Sequence, residues 1–232
     1  MISLLAPGAA QNCLTRNEWV CGKYFSRFHS DLTSALGQHL KIVVVSVLLG
    51  LVIAFPLALL ARRYRKLEWG VVGATTAVYT IPSLALFSLL VPWTGLSETT
   101  VVIGLALYSL TVLVRNMIDG LHAVPEDVKE SAVGMGYTNR RMLFAVELPL
   151  ALPAIMAGLR VATVSAVALT TVGSIVGYGG LGTLLIQANG TQFKAQVLAT
   201  SVLCVLLAVA LDLVLVGIQR ALTPWTRRAV AR

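Results

Sequence analysis

Five apolar stretches, each long enough to cross a bilayer, constrain most of what this chain can fold into. They cover about 41–61, 70–90, 99–116, 150–172 and 195–217. A hydrocarbon core of about 30 Å takes roughly 20 helical residues to cross. Inside it every backbone N–H and C=O must find a partner within the protein, which leaves helices or a closed barrel. Runs this long and uniformly apolar fit helices. The sequence therefore predicts an all-α integral membrane protein with five transmembrane helices. A hydrophobic content of 57%, a charged content of 12% and a mean hydropathy of +0.82 agree.

The division predicted is an extracytoplasmic N-terminal segment, 1–40, a transmembrane domain, 41–219, and a basic cytoplasmic tail, 220–232. The first ten residues are apolar but too short, and too poorly charged, for a signal peptide. From Tyr24 to Leu40 a helical rhythm sets Phe25, Phe28, Leu32, Leu36 and Leu40 on one face, which reads as an interfacial helix. An N-terminal extension of the first span is the alternative. Pro56 inside span 1 and Pro82 inside span 2 are candidate kinks. The segment Gly177–Gly182 is too glycine-rich for a regular helix.

Charge orients the spans. The segments 62–69 and 115–148 and the tail hold twelve Lys or Arg, and the segments on the opposite side hold five. The positive-inside rule then places the N-terminus outside and the tail in the cytoplasm. The net charge of +8 is clustered beside apolar spans, which argues for a membrane rather than nucleic acid. Cys13 and Cys21 fall on the outer side, where a disulfide persists, so they are a candidate disulfide or two free thiols. Cys204 reads as a small core residue of span 5.

One long polar stretch interrupts the spans, the loop 119–149. Pro125 suits a helix start, and Glu126 and Asp127 suit its first turn, where the helix dipole favours carboxylates. Val128, Ala132 and Met135 share a face. Gly134 and Gly136 suit the helix end, and Thr138 suits the cap of a second short helix. Charge counts put this helical hairpin in the cytoplasm, exposed to a partner.

Glu130-Ser131-Ala132, then three residues, Gly136, nine residues, Val146, one residue and Leu148-Pro149 resembles the E-A-A loop of ABC-importer permeases. That family's pattern reads E-A-A, three residues, G, nine residues, I, one residue, L-P; Ser131 and Val146 are mild departures. The resemblance implies a coupling helix seated on a cytoplasmic ATPase, with Glu130, Ser131, Ala132, Gly136, Leu148 and Pro149 as coupling residues. Tyr79-Thr80-Ile81-Pro82-Ser83-Leu84-Ala85-Leu86 and Gly177-Tyr178-Gly179-Gly180-Leu181-Gly182 are similar to runs in the permeases for glycine betaine, carnitine and choline; Tyr79 stands where that family commonly has Gln. The likeness spans roughly 38–222 and implies the methionine-importer-like fold.

Its functional implication is the membrane subunit of an ATP-driven osmoprotectant importer of the bacterial inner membrane, working by alternating access. The partners implied are two ABC ATPases, a second permease chain, the same or similar, and an external binding protein. No G-x-x-x-x-G-K-[ST] loop occurs, so the chain reads as no enzyme; ATP and magnesium belong to the partner ATPase. A fully methylated ammonium offers no N–H donor, and aromatic faces are its natural partners. Tyr79, Trp93, Tyr108 and Tyr178 are the pathway candidates, with Pro82 and Ser83 beside the first. A permease for methionine or another amino acid is the alternative within the family; a secondary transporter or channel is the alternative outside it.

Arg160 and Asp212 lie inside spans, at comparable depth in the cytoplasmic half. Intramembrane charges face protein or water, so the two are candidates for a pair. His29, His39 and His122 are scattered, and no metal site is predicted.

Overall fold

A computed structural model describes residues 12–225. The first ten residues and the tail arginines beyond Trp225 lie outside the described residues. All regular structure in the described chain is helical: α1 (Gly22–Arg63), α2 (Arg65–Thr80), α3 (Ser83–Thr94), α4 (Glu98–His122), α5 (Glu126–Gly134), α6 (Asn139–Met142), α7 (Leu148–Thr170), α8 (Leu181–Gly190) and α9 (Lys194–Leu222). A π turn, Leu143–Glu147, joins α6 to α7, and a 3₁₀ turn, Thr171–Val176, follows α7.

α4 is the centre of the bundle. Of its most apolar stretch 67% is buried inside the chain, against 0% for α9, which presents itself to lipid or a neighbour. Lipid tails are as apolar as leucine, so helices associate in a membrane through close packing of small side chains. Ala54, Ala58 and Ala61 of α1 meet Leu110, Leu113, Val114 and Met117 of α4. Gly158 of α7 lies against Asn116, leaving no room for a Cβ.

Ion pairs mark both ends of this core. Lys41 Nζ lies 2.8 Å from Glu98 Oε1 at one end, and Arg62 pairs with Glu147 at the other. At a rise of about 1.5 Å per residue, the α1 segment between Lys41 and Arg62 measures about 32 Å, close to a hydrocarbon core.

Several boundaries differ from those predicted. The predicted interfacial helix does not end before the first span but runs into it, so that α1 covers 42 residues with a kink at Phe28. No helix breaker lies between Leu40 and the span, and the non-helical angles fall at Phe28 rather than at Pro56. Span 2 is a bent pair, α2 and α3, meeting at 99° where Ile81 and Pro82 leave the helix. Among the described residues four helical segments are long and apolar enough to cross a membrane, and up to five with the bent pair counted as one. α4 continues to His122, past the predicted end of span 3, because nothing before Pro125 stops it. Met135 is exposed at the helix end, away from the face that buries Ala132.

Candidate functional site

The loop between α4 and α7 folds as a projecting helical hairpin. Pro125 is the residue just before α5, with Glu126 and Asp127 in the first turn. Lys129 Nζ pairs with Glu126 Oε1 at 2.9 Å, and the Ser131 hydroxyl donates to the Asp127 carbonyl. The helix closes in a Schellman motif: Tyr137 N–H donates to the Ala132 carbonyl and Gly136 N–H to the Val133 carbonyl. Gly136 has φ +81°, a left-handed conformation that a β-carbon strains. Thr138 Oγ1 then accepts from Arg141 N–H and caps α6, and the Arg141 guanidinium stacks over the Tyr137 ring. Ala132 is the buried anchor, while Glu130, Ser131, Val133 and Met135 are exposed. Leu148 and Pro149 open α7, half-buried, where a proline is tolerated. The hairpin thus shows a carboxylate and apolar side chains on a surface that nothing among the described residues covers.

The aromatic candidates divide. Tyr79 at the end of α2 meets Tyr108 of α4 edge to face, with ring centroids 5.7 Å apart. The Tyr108 hydroxyl donates to the Ile81 carbonyl, so α4 satisfies backbone freed by the helix break, and Thr111 donates to the Thr75 carbonyl within α2. Ser83 starts α3 just beyond Pro82. Tyr79, Tyr108, Ser109 and Ser165 border a cleft of only about 10 Å³, room for roughly one water. No substrate passes there within one chain. Tyr79 is nevertheless 48% exposed, on the flank of the bundle. Trp93 and Tyr178 are not gathered around it: Trp93 stands 80% exposed at the end of α3, and Tyr178 packs against the cluster of Ile42, Phe87 and Val101.

Arg160 and Asp212 are brought together as a fork: Nε donates to Oδ1 at 2.7 Å and Nη2 to Oδ2 at 2.8 Å. The two parallel bonds neutralise both charges in the membrane region and tie α7 to α9. Cys13 and Cys21 are bonded to each other. The loop they close is pinned to the α8–α9 turn, where Asn17 Nδ2 donates to the Gln192 carbonyl and Asn17 Oδ1 accepts from Lys194 N–H. The glycine-rich segment packs backbone on backbone. A Cβ at Gly182 would lie 2.3 Å from Thr171 Cα, and one at Gly180 would lie 2.6 Å from His39 Cβ.

Four residues of consequence were not singled out from sequence. Glu147 is buried and paired with Arg62; it was hidden at the edge of an apolar run, and Arg62 in a basic run. His39 is buried, with Nε2 3.0 Å from the Val167 carbonyl, tying α1 to α7. Asn17 offered no sequence signal beyond its place in an eight-residue cysteine spacing.

Comparison with known proteins agrees with this geometry. The fold matches that of the MetNI methionine ABC transporter, solved in inward-facing conformations, with a TM-score of 0.75 at 23% identity over 85% of this chain and 98% of that one. The sequence is 39% identical to the glycine betaine/carnitine/choline transport system permease protein OpuCD of Bacillus subtilis, over 88% of this chain and 89% of that protein. It is 37% identical to the osmoprotectant import permease protein OsmW of Salmonella typhimurium, over 83% of this chain and 92% of that one. The family model for the inner membrane component of binding-protein-dependent transport systems matches residues 46–228. The chain belongs to that family of membrane permeases.

Proposed function

We propose that this chain is the permease subunit of an ATP-driven importer for a quaternary-ammonium osmoprotectant such as glycine betaine, carnitine or choline. The substrate class rests on the named relatives; the mode of action rests on the α5–α6 hairpin. The hairpin is the single observation that carries the reading. It is stiff, closed by hydrogen bonds and exposed, and it leads directly into the π turn and α7. A partner pressing on it moves a transmembrane helix.

The partner is a cytoplasmic ATPase dimer that binds ATP and magnesium. ATP binding draws two hairpins together, one from each permease of a pair, and the bundles open outward to an external binding protein. The N-terminus lies outside and the C-terminus in the cytoplasm, as the charge distribution asks. Glu130 supplies a carboxylate for a basic group on the ATPase. Tyr79 offers its ring to the methylated ammonium between the two permeases, since the cleft behind it is closed. This chain supplies no nucleotide site of its own.

The hairpin residues have different roles and fail differently. Glu130→Ala removes one interfacial contact, typically about 2 kcal/mol or less. The assembly persists and coupling weakens. Gly136→Val places a β-branched side chain at φ +81°, unwinding the turn and turning α6 away. The valine variant still inserts, because no span is touched, but it loses the ATPase or its substrate-stimulated hydrolysis. Co-purification and stimulated ATP hydrolysis, measured with binding protein and substrate present, check both. Wild-type stoichiometry and stimulation in both variants would remove the hairpin from coupling.

A further inference from the structure

We propose that the Arg62–Glu147 ion pair is a positioning joint that passes the movement of the α5–α6 hairpin to α1. Glu147 closes the π turn between the hairpin and α7, and Arg62 lies in the last turn of α1. π turns are rare and frequently mark functional positions. The Glu147 side chain is 0% exposed and the Arg62 side chain 24%. Glu147 Oε1 accepts from Arg62 Nη2, and Oε2 has no hydrogen-bond partner among the described residues.

A buried ion pair is a poor stabiliser, since apolar side chains of similar volume hold a core equally well. What the charges add is direction. Arg62 borders an open cleft of about 410 Å³ shared with Glu68, Trp69 and His122, and its side chain stays partly exposed to water. Glu147 meets none. Parting the pair therefore strands the carboxylate, and when the π turn moves, α1 follows.

α1 carries the displacement far. From the kink at Phe28 it runs unbroken to Arg63, and it pairs with Glu98 through Lys41 at the other end of the core. Beyond that, Leu32 of the same unbroken run packs with Ala195 and Ala199 of α9, beside the Cys13–Cys21 loop. One joint thus connects the hairpin to both ends of the bundle.

The inference rests on the reading that an ATPase drives the hairpin, and the test separates the two. The intact complex, with ATPase and binding protein, is assayed for stoichiometry, ATP hydrolysis and substrate taken up per ATP. Glu147→Gln and Arg62→Gln are expected to co-purify as wild type and hydrolyse ATP, with uptake per ATP lowered about tenfold. Arg62→Lys keeps the charge and is expected to stay within about threefold of wild type. If Glu147→Gln does not accumulate, Glu147→Asp replaces it. That variant retains the charge on a shorter stem and is expected to accumulate with lowered uptake per ATP. The joint is refuted by wild-type uptake per ATP in an intact Glu147→Gln or Glu147→Asp complex, by failure of both to accumulate, or by Arg62→Lys failing as Arg62→Gln does. Absence of ATP-dependent uptake in the wild-type complex would instead refute the importer reading.

Discussion

Tyr79 and Tyr108 show how much a single side chain says here. Tyr108 spends its hydroxyl on the Ile81 carbonyl, and its ring supports Tyr79 from the edge. Tyr79 leaves its face half-exposed and is the better placed of the two to meet a methylated cation. The ring face carries that attraction, worth about 0.5–2 kcal/mol. Tyr79→Ala should therefore raise the concentration for half-maximal uptake of a quaternary ammonium, by about twofold to thirtyfold on that scale, whereas Tyr79→Phe should leave it near wild type. Equal losses would assign the effect to the hydroxyl, and no loss in either would take Tyr79 off the path. Charged residues were legible where their surroundings made them conspicuous. Arg160 and Asp212 stand out in apolar runs, and their comparable depth made them candidates for the pair that the structure forms. Arg62 and Glu147 were illegible because each sits at the edge of a span, where a charge needs no explanation.

Elements were legible in kind and less so in extent. The hairpin could be read closely because its punctuation is chemical: Pro125 before the first turn, Gly136 at the left-handed closure, Thr138 at the second cap. The continuity of α1 could not, because an amphipathic stretch that leads into a span reads equally as a separate interfacial helix. The 99° bend between α2 and α3 was visible only as Pro82, whose ring removes a donor without stating an angle. The N-terminal cap depends on contacts distant in sequence. Asn17 bonds the Gln192 carbonyl, and these two are the non-glycine residues with positive φ among those described. That cap also offers a test of orientation. In a Cys204→Ser background, mild reduction of intact cells should let a membrane-impermeant thiol reagent label the cap. Cys13 should react ahead of Cys21, which is buried against Tyr24. Labelling only after permeabilisation would place the N-terminus in the cytoplasm and overturn the orientation.

At the scale of the whole molecule, the helices form a bundle centred on α4. Ion pairs bracket the core, and a hairpin projects from the end where Arg62 and Glu147 meet. The length and uniform apolarity of five runs were enough to predict the all-α membrane class. Family membership came from spaced residues in the hairpin and the glycine-rich segment, whose close backbone packing explains its composition. The substrate is the property furthest from this chain's own geometry, since the cleft beside Tyr79 holds only about 10 Å³. The central claim is therefore tested on the assembly. Proteoliposomes holding this chain with its ATPase and an external binding protein are supplied with labelled glycine betaine, choline, carnitine or methionine, with and without ATP inside the ATPase-facing compartment. The expected result is accumulation of at least one quaternary ammonium that requires ATP and binding protein, and none of methionine. Accumulation driven by an ion gradient without ATP, or ATP-dependent accumulation of methionine alone, would contradict it.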